Sequence, residues 1–344
     1  GTGCGSVRFN GTGITSLTTP PAGLNCTFTP GNGSVVALDP DFETPSAWKY
    51  NLSVGRDFTL PVVDDFRLQV DYIYNDFENA LYYKDLLATK AGTAPDGRPV
   101  YTHPTGPVVF DLLLTNLKKG GYSQSVAFSA QKNWTEGFFE GLDARASYTY
   151  TRAEDGNPMT SSQPDSSYVR FASADHNNPV LATSDYEIRN RFSVNVHWAR
   201  ALFGDNETSV NLFAQTRSGM PFSYVYHSSR TGNYDNDFGN AVPQSYSGAL
   251  GTSNQLFYVP KVDSATGLVT ATSDPRITYS GNLAGAQGMA DFNSFLKNTG
   301  LIKYAGGIAP RNAFRSESVT TVDVRLSQEF PAPFVPTGKF KLYM

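Results

Sequence analysis

Hydrophobic and polar residues alternate along this chain over segments that are longer than the strands of most soluble sheets. In Gly141–Thr151, for example, Leu142 and Ala144 alternate with Asp143 and Arg145. Such alternation places apolar side chains on one face of a β-strand and polar side chains on the other. Soluble strands usually run for about five or six residues, whereas a strand needs about ten residues to cross a bilayer, the length that these patterns reach. The alternation therefore predicts strands that span a membrane.

Eight segments carry this alternation, separated in turn by short turns and long connections. In chain order they are Ser46–Phe58, Asp65–Tyr74, Tyr122–Gln131, Gly141–Thr151, Asp185–Trp198, Thr208–Arg217, Thr320–Phe330 and Lys339–Met344. The long connections cover 85–109, 155–184 and 227–311. Short turns at one rim and long loops at the other are typical of outer-membrane barrels, whose long loops lie outside the cell. We therefore predict an all-β, antiparallel transmembrane β-barrel with long extracellular loops and short periplasmic turns. A soluble β-sandwich alternates in the same way and is the alternative fold.

Aromatic residues near the predicted strand ends agree with this layout. At the ends facing the long connections they are Trp48/Tyr50, Tyr72/Tyr74, Tyr148/Tyr150 and Tyr224/Tyr226. Trp134 and Trp198 lie near short turns. Because amphipathic rings favour the headgroup region, this distribution predicts two aromatic girdles.

Composition and motifs exclude several other classes of protein. The net charge is −4 and charged residues make up only 17% of the chain, whereas nucleic-acid binding depends on concentrated basic charge. The sequence has no run of about 18 apolar residues that could form a transmembrane helix. It has no GxSxG, HExxH or Walker A motif, and His103, His176, His197 and His227 are scattered. We therefore expect a protein that contacts outer-membrane lipid, does not bind nucleic acid and is not an enzyme.

Charged side chains on the polar faces of the predicted strands are candidates for the lining of the barrel lumen. They are Arg67, Asp71, Asp143, Arg145, Glu187, Arg189, Arg191, Asp323 and Arg325. These residues could steer a ligand or hold a plug, or they could form ion pairs across strands in a watery lumen. Aromatic residues in the loop regions are candidate ligand contacts that would suit sugars or peptides: Tyr82, Tyr83, Phe222 and Tyr226.

The remaining candidate sites lie in the connections. Cys4 and Cys26 are predicted to form a disulfide, because an outside loop lies in an oxidising compartment. Asp235 and Asp237 lie close to glycine in a loop that could bind calcium, although a solvated acidic loop has the same composition. No other cofactor is expected. Met289–Thr299 has the apolar spacing of a short helix, which would cover an extracellular loop or act as a ligand lid.

Seven segments together resemble the Oar-like TonB-dependent receptors, in the order that this family has them. They are Asp39–Leu52 (DPDFETPSAWKYNL), Asn79–Leu86 (NALYYKDL), Pro95–Tyr101 (PDGRPVY), Asn157–Ser162 (NPMTSS), Asn177–Phe192 (NNPVLATSDYEIRNRF), Arg217–Tyr224 (RSGMPFSY) and Ile308–Phe330 (IAPRNAFRSESVTTVDVRLSQEF). The resemblance implies a 22-stranded barrel closed by a plug and powered by the TonB complex. It implies that residues 1–344 are the C-terminal portion of an incomplete barrel of about eight strands. The signal peptide, the N-terminal regulatory-like domain, the plug domain and the final strands would then lie outside this sequence.

Three functions follow from these observations as alternatives. The first is energy-coupled uptake of a ligand too large for porins, which would be a peptide, a protein or a carbohydrate, with the TonB complex bound through the missing N-terminal part. The second is surface adhesion or secretion through the same kind of barrel. The third, which goes with the soluble fold, is polysaccharide binding by a secreted β-sandwich.

Overall fold

Eight strands of one sheet follow each other in chain order and pair antiparallel with their neighbours. The computed structural model describes residues 35–60, 63–102, 111–226, 254–333 and 337–344. In chain order the strands are β1 (Val35–Leu38), β2 (Ser46–Leu60), β3 (Val63–Asp85), β4 (Thr89–Thr93), β5 (Pro99–Thr102), β6 (Asp111–Trp134), β7 (Leu142–Asp155), β8 (Ala182–Thr183), β9 (Asn190–Phe203), β10 (Asn206–Arg217), β11 (Pro221–Phe222), β12 (Tyr258–Val259), β13 (Gly307–Ile308), β14 (Phe314–Arg315), β15 (Val319–Pro331) and β16 (Lys339–Tyr343). The α-helices are α1 (Pro164–Val169) and α2 (Ala286–Asn298), and short 3-10 helices cover Gly281–Ala284 and Leu301–Tyr304. None of the helices in the described ranges is long and apolar enough to cross a membrane.

The main sheet confirms the eight strands that the alternation predicts. Its order is β16-β15-β10-β9-β7-β6-β3-β2, with β1 parallel to β6 and β8 beside β7 at the edge of this path. A single sheet of consecutive antiparallel strands is an up-and-down arrangement, not the two packed sheets of a sandwich. The sheet does not close on itself, because β2 and β16 are not paired with each other.

The strand register sorts the side chains into one polar and one apolar face. Residues directly opposite each other on antiparallel strands share a face. A row on the apolar face contains Val54, Val70, Phe128, Tyr148 and Phe192. The adjacent row on the polar face contains Gly55, Gln69, Ser129, Ser147, Ser193, Gln215 and Thr321. The hydroxyl oxygens of Ser147 and Ser193 lie 2.7 Å apart, so these two side chains meet on the polar face.

Aromatic contacts mark both ends of the apolar face. At the long-connection end, the ring centroids of Tyr50 and Tyr74 are 6.1 Å apart and those of Tyr74 and Tyr122 are 6.3 Å apart. At the short-turn end, Phe330 and Phe340 stack at 5.4 Å. These two sets lie where the predicted girdles place aromatic rings.

Two strands run well past the length that the sequence pattern indicates. β3 has 23 residues and β6 has 24, although a transmembrane strand needs only about ten. The extra strand residues lie on either side of the connection expected over 85–109, and that connection contains the β4–β5 hairpin. Beyond a register shift between Phe77 and Glu78, residues 78–85 of β3 stay paired with 112–119 of β6. We call this paired extension the stalk.

Gly121 lies at the base of the stalk, where the ladder shifts register. Its φ is +100°, in the region that favours glycine. A Cβ on this residue would approach the carbonyl oxygen of Glu154 to 2.0 Å. Only glycine fits here without strain, because β6 forms a bulge at this position while it stays paired with β7.

Replacing Gly121 by alanine is expected to lower the free energy of unfolding by more than about 1 kcal/mol, because alanine at positive φ is strained. Thermal unfolding of the detergent-solubilised protein measures this effect. Gly92→Ala is the matched control, since a Cβ there meets nothing within 4 Å. Equal behaviour of the two variants would contradict this account of the bulge.

The fifth strand begins later than its alternation predicts. The pattern continues from Asp185, but β9 starts at Asn190. Glu187 is only 2% exposed and its carboxylate accepts a hydrogen bond from the backbone N–H of Ala153 at 2.7 Å. The segment before β9 therefore leaves the regular ladder to bury a carboxylate against the end of β7.

Candidate functional site

The long connections fold together into one assembly, which we call the loop cap and define as residues 86–102, 156–189, 218–226 and 254–318. Its largest core consists of Val259, Val269, Leu296, Leu301, Ala309 and Phe314. Leu296 lies on α2 and is fully buried, and Phe292 packs against the same cluster. This confirms the short helix expected over Met289–Thr299. Because hydrophobic burial stabilises it, the cap is a folded body rather than a set of independent loops.

A buried arginine joins three separate parts of the loop cap. Arg98, at the β4–β5 turn, is 1% exposed. Its Nε donates to the carboxylate of Asp96 at 2.7 Å, one Nη donates to the side chain of Gln255 at 2.7 Å, and the other donates to the carbonyl of Leu256 at 2.7 Å. The guanidinium carbon lies 5.7 Å from the ring centroid of Tyr226. We call this group of contacts the Arg98 clasp.

Asn177 and His176 connect the clasp to the stalk. The Asn177 side chain accepts from the N–H of Asp85 at 2.8 Å and donates to the Asp85 carbonyl at 3.1 Å. The Tyr168 hydroxyl donates to the same Asn177 oxygen at 2.7 Å. The His176 ring lies 3.1 Å from the carbonyl oxygen of Phe171, and its other nitrogen is 3.5 Å from the Gln255 amide. Burial lowers the pKa of His176 to about 4, although its hydrogen bond to Phe171 acts in the opposite direction.

The lowered pKa of His176 predicts that the loop cap loosens in acid. Between pH 6.5 and about 4, His176 binds a proton in the unfolded segment but not in the folded one. The stability that neutral His176 gives the folded cap is therefore fully present above pH 6.5 and is lost as the pH falls towards 4. We expect a loss of about 2–3 kcal/mol in the local opening free energy of the cap. Hydrogen exchange at pH 7 and pH 4.5 measures it. His176→Gln should show a smaller pH dependence, and an unchanged dependence would contradict the assignment.

The segment before β15 attaches the loop cap to the ends of β7 and β9. Arg311 forms an ion pair with Asp155 at 2.5 Å and donates to the Gly156 carbonyl at 3.2 Å. Arg315 forms an ion pair with Glu187 and donates to the Glu187 carbonyl at 3.1 Å. Two strand ends are thereby fixed to one short stretch of chain.

Asn312 lies between these two arginines and completes the attachment. Its amide donates to the Thr183 carbonyl at 2.8 Å and to the carboxylate of Asp185. Its backbone N–H donates to the Ser223 hydroxyl at 2.8 Å. Asn312 has a φ of +58°, which asparagine adopts more readily than most residues.

A cavity of about 520 Å³ lies where the cap meets the sheet, and apolar atoms form most of its wall. The residues around it include Phe77, Leu81, Tyr122, Thr151, Met159 and Glu187. A volume of this size is in the range of small-molecule sites. The cavity thus offers space for an apolar group at the cap end of the sheet.

The register places seven of the nine lumen candidates on the polar face. Arg67, Arg145 and Asp323 share one row, Asp71 and Arg191 share another, and Asp143 and Arg325 share a third. Glu187 lies instead in the buried cluster above β9, with Arg189 3.0 Å away. The lining of a lumen by the first seven stays a prediction, whereas Glu187 belongs to the attachment of the cap.

The four loop aromatics do not form a single surface. Tyr83 packs against Leu112, Tyr168 and Val169, whereas Tyr82 is half-buried on the stalk. Phe222 packs 5.9 Å from Phe314. Tyr226 lies in the clasp, and burial raises its pKa to about 12. Their role as ligand contacts stays a prediction.

The expected extension of the aromatic girdle to Tyr224 and Tyr226 is wrong. Tyr224 lies beyond the end of β10 and packs against Phe314 at 4.7 Å and Phe295 at 5.8 Å. The prediction placed both tyrosines at a strand end because they come just before the long connection over 227–311. In the structure both belong to the loop cap, where Tyr224 packs against the hydrophobic core and Tyr226 lies beside Arg98 and Phe257.

Two predicted sites lie outside the described residues. They are the disulfide of Cys4 and Cys26 and the calcium site of Asp235 and Asp237. Within the ranges that are described, no group of three or more His, Cys, Asp or Glu residues is arranged to hold a metal ion.

Four polar residues that hold the cap together were not among the candidates drawn from the sequence. Arg98, Asn177, Arg311 and Arg315 look like solvated loop residues when only their neighbours are considered. A signal was nevertheless present, because all four fall within segments that resemble the Oar-like receptors. Those segments indicate here which loop residues carry tertiary contacts.

Comparison with known proteins agrees with this architecture. A family model described as an outer membrane beta barrel domain matches residues 3–342. No curated protein and no solved structure matches the chain. The match covers nearly the whole length, and it places the protein in the bacterial outer membrane. The chain therefore belongs to the outer membrane beta barrel domain family.

Proposed function

We propose that this chain is part of a TonB-dependent, Oar-like outer-membrane receptor that takes up a ligand too large for porins. The observation that carries the proposal is the loop cap, a folded body with its own core attached to the cap end of a sheet with one polar face. A porin-like channel needs no such structure, whereas a receptor needs a preformed surface that binds its ligand outside the cell. The proposal assigns the protein no catalytic step.

The ligand class follows from the chemistry of the cap. Its core residues are committed to packing. Its buried charges are committed to the clasp, to the attachment before β15 and, for Asp274, to hydrogen bonds from Tyr258 and Lys261. The surface left for a ligand therefore combines exposed loop groups with the mostly apolar cavity beside Met159. Such a surface suits a peptide, a protein segment or a carbohydrate. The TonB complex would act through a part of the receptor outside this sequence.

Uptake into the periplasm tests the proposal. Cells expressing the complete protein would be given fluorescent peptide and oligosaccharide pools, with and without a protonophore. Uptake powered by TonB should stop when the proton gradient collapses, while binding at the cell surface continues. Arg98→Ala, which opens the clasp, should reduce both, and Arg170→Ala on an exposed residue of the same cap is the control. Surface binding without accumulation would contradict uptake and favour adhesion.

A further inference from the structure

Two arginines face each other on the polar side of the sheet without an acidic partner between them. Arg191 on β9 and Arg217 on β10 are direct cross-strand partners. The other members of their row nearby are Thr149 and Val319, which are neutral. Like charges placed directly opposite each other destabilise a sheet. A negatively charged group from outside the chain would therefore relieve the repulsion between Arg191 and Arg217.

The contacts of neighbouring residues fix the direction in which the two arginines point. Ser193, two residues after Arg191, meets Ser147 on the polar face. On the opposite face, the hydroxyls of Thr216 and Thr320 lie 2.9 Å apart. Since successive side chains alternate between faces, Arg191 and Arg217 both lie on the polar face, and both are exposed there.

The carboxylate of Glu187, which precedes Arg191 in the chain, is already engaged. Glu187 is buried and accepts hydrogen bonds from Arg189, Arg315 and the Ala153 N–H. The backbone N–H of Thr151 donates to the Arg189 carbonyl at 2.8 Å. Arg189 therefore lies next to Thr151, closer to the cap than Arg191, which lies opposite Thr149. Arg189 and Arg315 therefore share the single acid Glu187, which leaves no carboxylate of this cluster for Arg191.

Other acids on this face do not reach the pair. Asp71 shares the row but is separated from Arg191 by β6 and β7, and it accepts from Ser53 and Gln69. Asp323 lies opposite Phe213, four residue pairs further from the cap than Arg217. Among the described residues, no carboxylate oxygen lies within 4.0 Å of a side-chain nitrogen of Arg191 or Arg217, and this includes the carboxylate of Glu317.

We propose that Arg191 and Arg217 form a binding site for an anionic group, a carboxylate or a phosphate, of the ligand that passes along the polar face. Guanidinium groups present forked donors that match the oxygens of these anions. Two guanidinium groups held on paired strands can bind one anion from both sides, which removes the repulsion between them. This inference rests on the proposed function, because it names the charge of the ligand that the receptor takes up.

Anion binding by the complete protein in detergent micelles tests the inference. The probes are inorganic phosphate and citrate, compared with sodium chloride at the same ionic strength. We expect phosphate or citrate to raise the midpoint of thermal unfolding where chloride does not. R191Q and R217Q should each weaken the binding of the preferred anion at least tenfold, and R191K and R217K, which keep the charge but lose the fork, should weaken it less. R67Q should bind as the wild type does, since Arg67 lies on the same face 3.8 Å from Asp57.

The behaviour without the probe separates a binding role from a structural one. In low-salt buffer free of phosphate and citrate, R217Q should unfold at the same temperature as the wild type or higher, because it removes a repulsion. A response to chloride as large as that to the probes would overturn the proposal, and so would a full response in R191Q and R217Q. The choice between citrate and phosphate identifies the anionic group. The titration uses no energy source, so a failure of the uptake experiment leaves its outcome intact.

Discussion

Replacing Arg98 by alanine is expected to lower the local stability of the loop cap by about 3–5 kcal/mol, because it leaves a buried carboxylate without its partner. The Asp96 side chain is 2% exposed and the Gln255 residue is 3% exposed, so water does not replace the lost guanidinium. Hydrogen exchange and limited proteolysis of the cap measure the change. Both should report opening of the clasp while the transmembrane strands stay protected.

The control for this experiment is Arg170→Ala. Arg170 is an exposed arginine of the same cap, at the end of α1, and its removal should change stability by less than about 0.5 kcal/mol. An equally small effect of Arg98→Ala would mean that the three parts of the cap hold together without the clasp. Loss of protection in the transmembrane strands as well would mean that cap and sheet unfold as one unit.

Placing an arginine at Val70 is expected to cost about 2–4 kcal/mol, because the centre of the bilayer cannot solvate the charge. Val70 lies midway between Phe66 and Tyr74, whose rings contact Phe58 and Tyr50. It is opposite Val54 and Phe128 on the apolar face. Folding of the complete protein into lipid vesicles, followed over a denaturant series, gives the free energy. The sequence alternation makes the same prediction for Leu68, Ala146, Val194, Leu212 and Val324.

The adjacent residue provides a sharp control. Gln69 lies on the polar face and its amide donates to Asp71 at 2.8 Å. Gln69→Arg keeps a donor near that carboxylate and should be tolerated, as should arginine at Ser147. Since the two test positions are consecutive, they share depth and strand and differ only in face. Equal damage at Val70 and Gln69 would show that the assignment of the two faces is wrong.

The transmembrane strands could be predicted because two different solvents act on their two faces. Apolar residues face the lipid and polar residues face water, so the two types alternate along the strand with a period of two residues. The stalk carries no such pattern. Near Leu112 and Tyr83, the stalk packs against Tyr168 and Val169 of the loop cap, and Leu112 is 1% exposed. Apolar residues are buried there by protein rather than by lipid, so they need not alternate with polar ones.

The loop cap could not be predicted from local pattern because its contacts join distant parts of the chain. The hydrogen bond from Arg98 to Gln255 spans 157 positions. A polar residue in a Gly- and Pro-rich segment looks the same whether it is solvated or buried against a partner that far away. The reverse error occurred at Glu187, where the alternation continued but a buried ion pair with Arg315 took the residue out of the strand.

The stalk determines where foreign loops can be inserted into this outer-membrane protein. Because β3 and β6 run without interruption from the apolar sheet to Asp85 and Asp111, the boundary between barrel and exterior is not a boundary between exchangeable modules. A foreign loop spliced in at the membrane surface would cut two paired strands and discard the support for Tyr168 and Asn177. A loop grafted beyond Asp85 and before Asp111 would inherit a rigid, already paired base, and would be displayed well clear of the lipid headgroups.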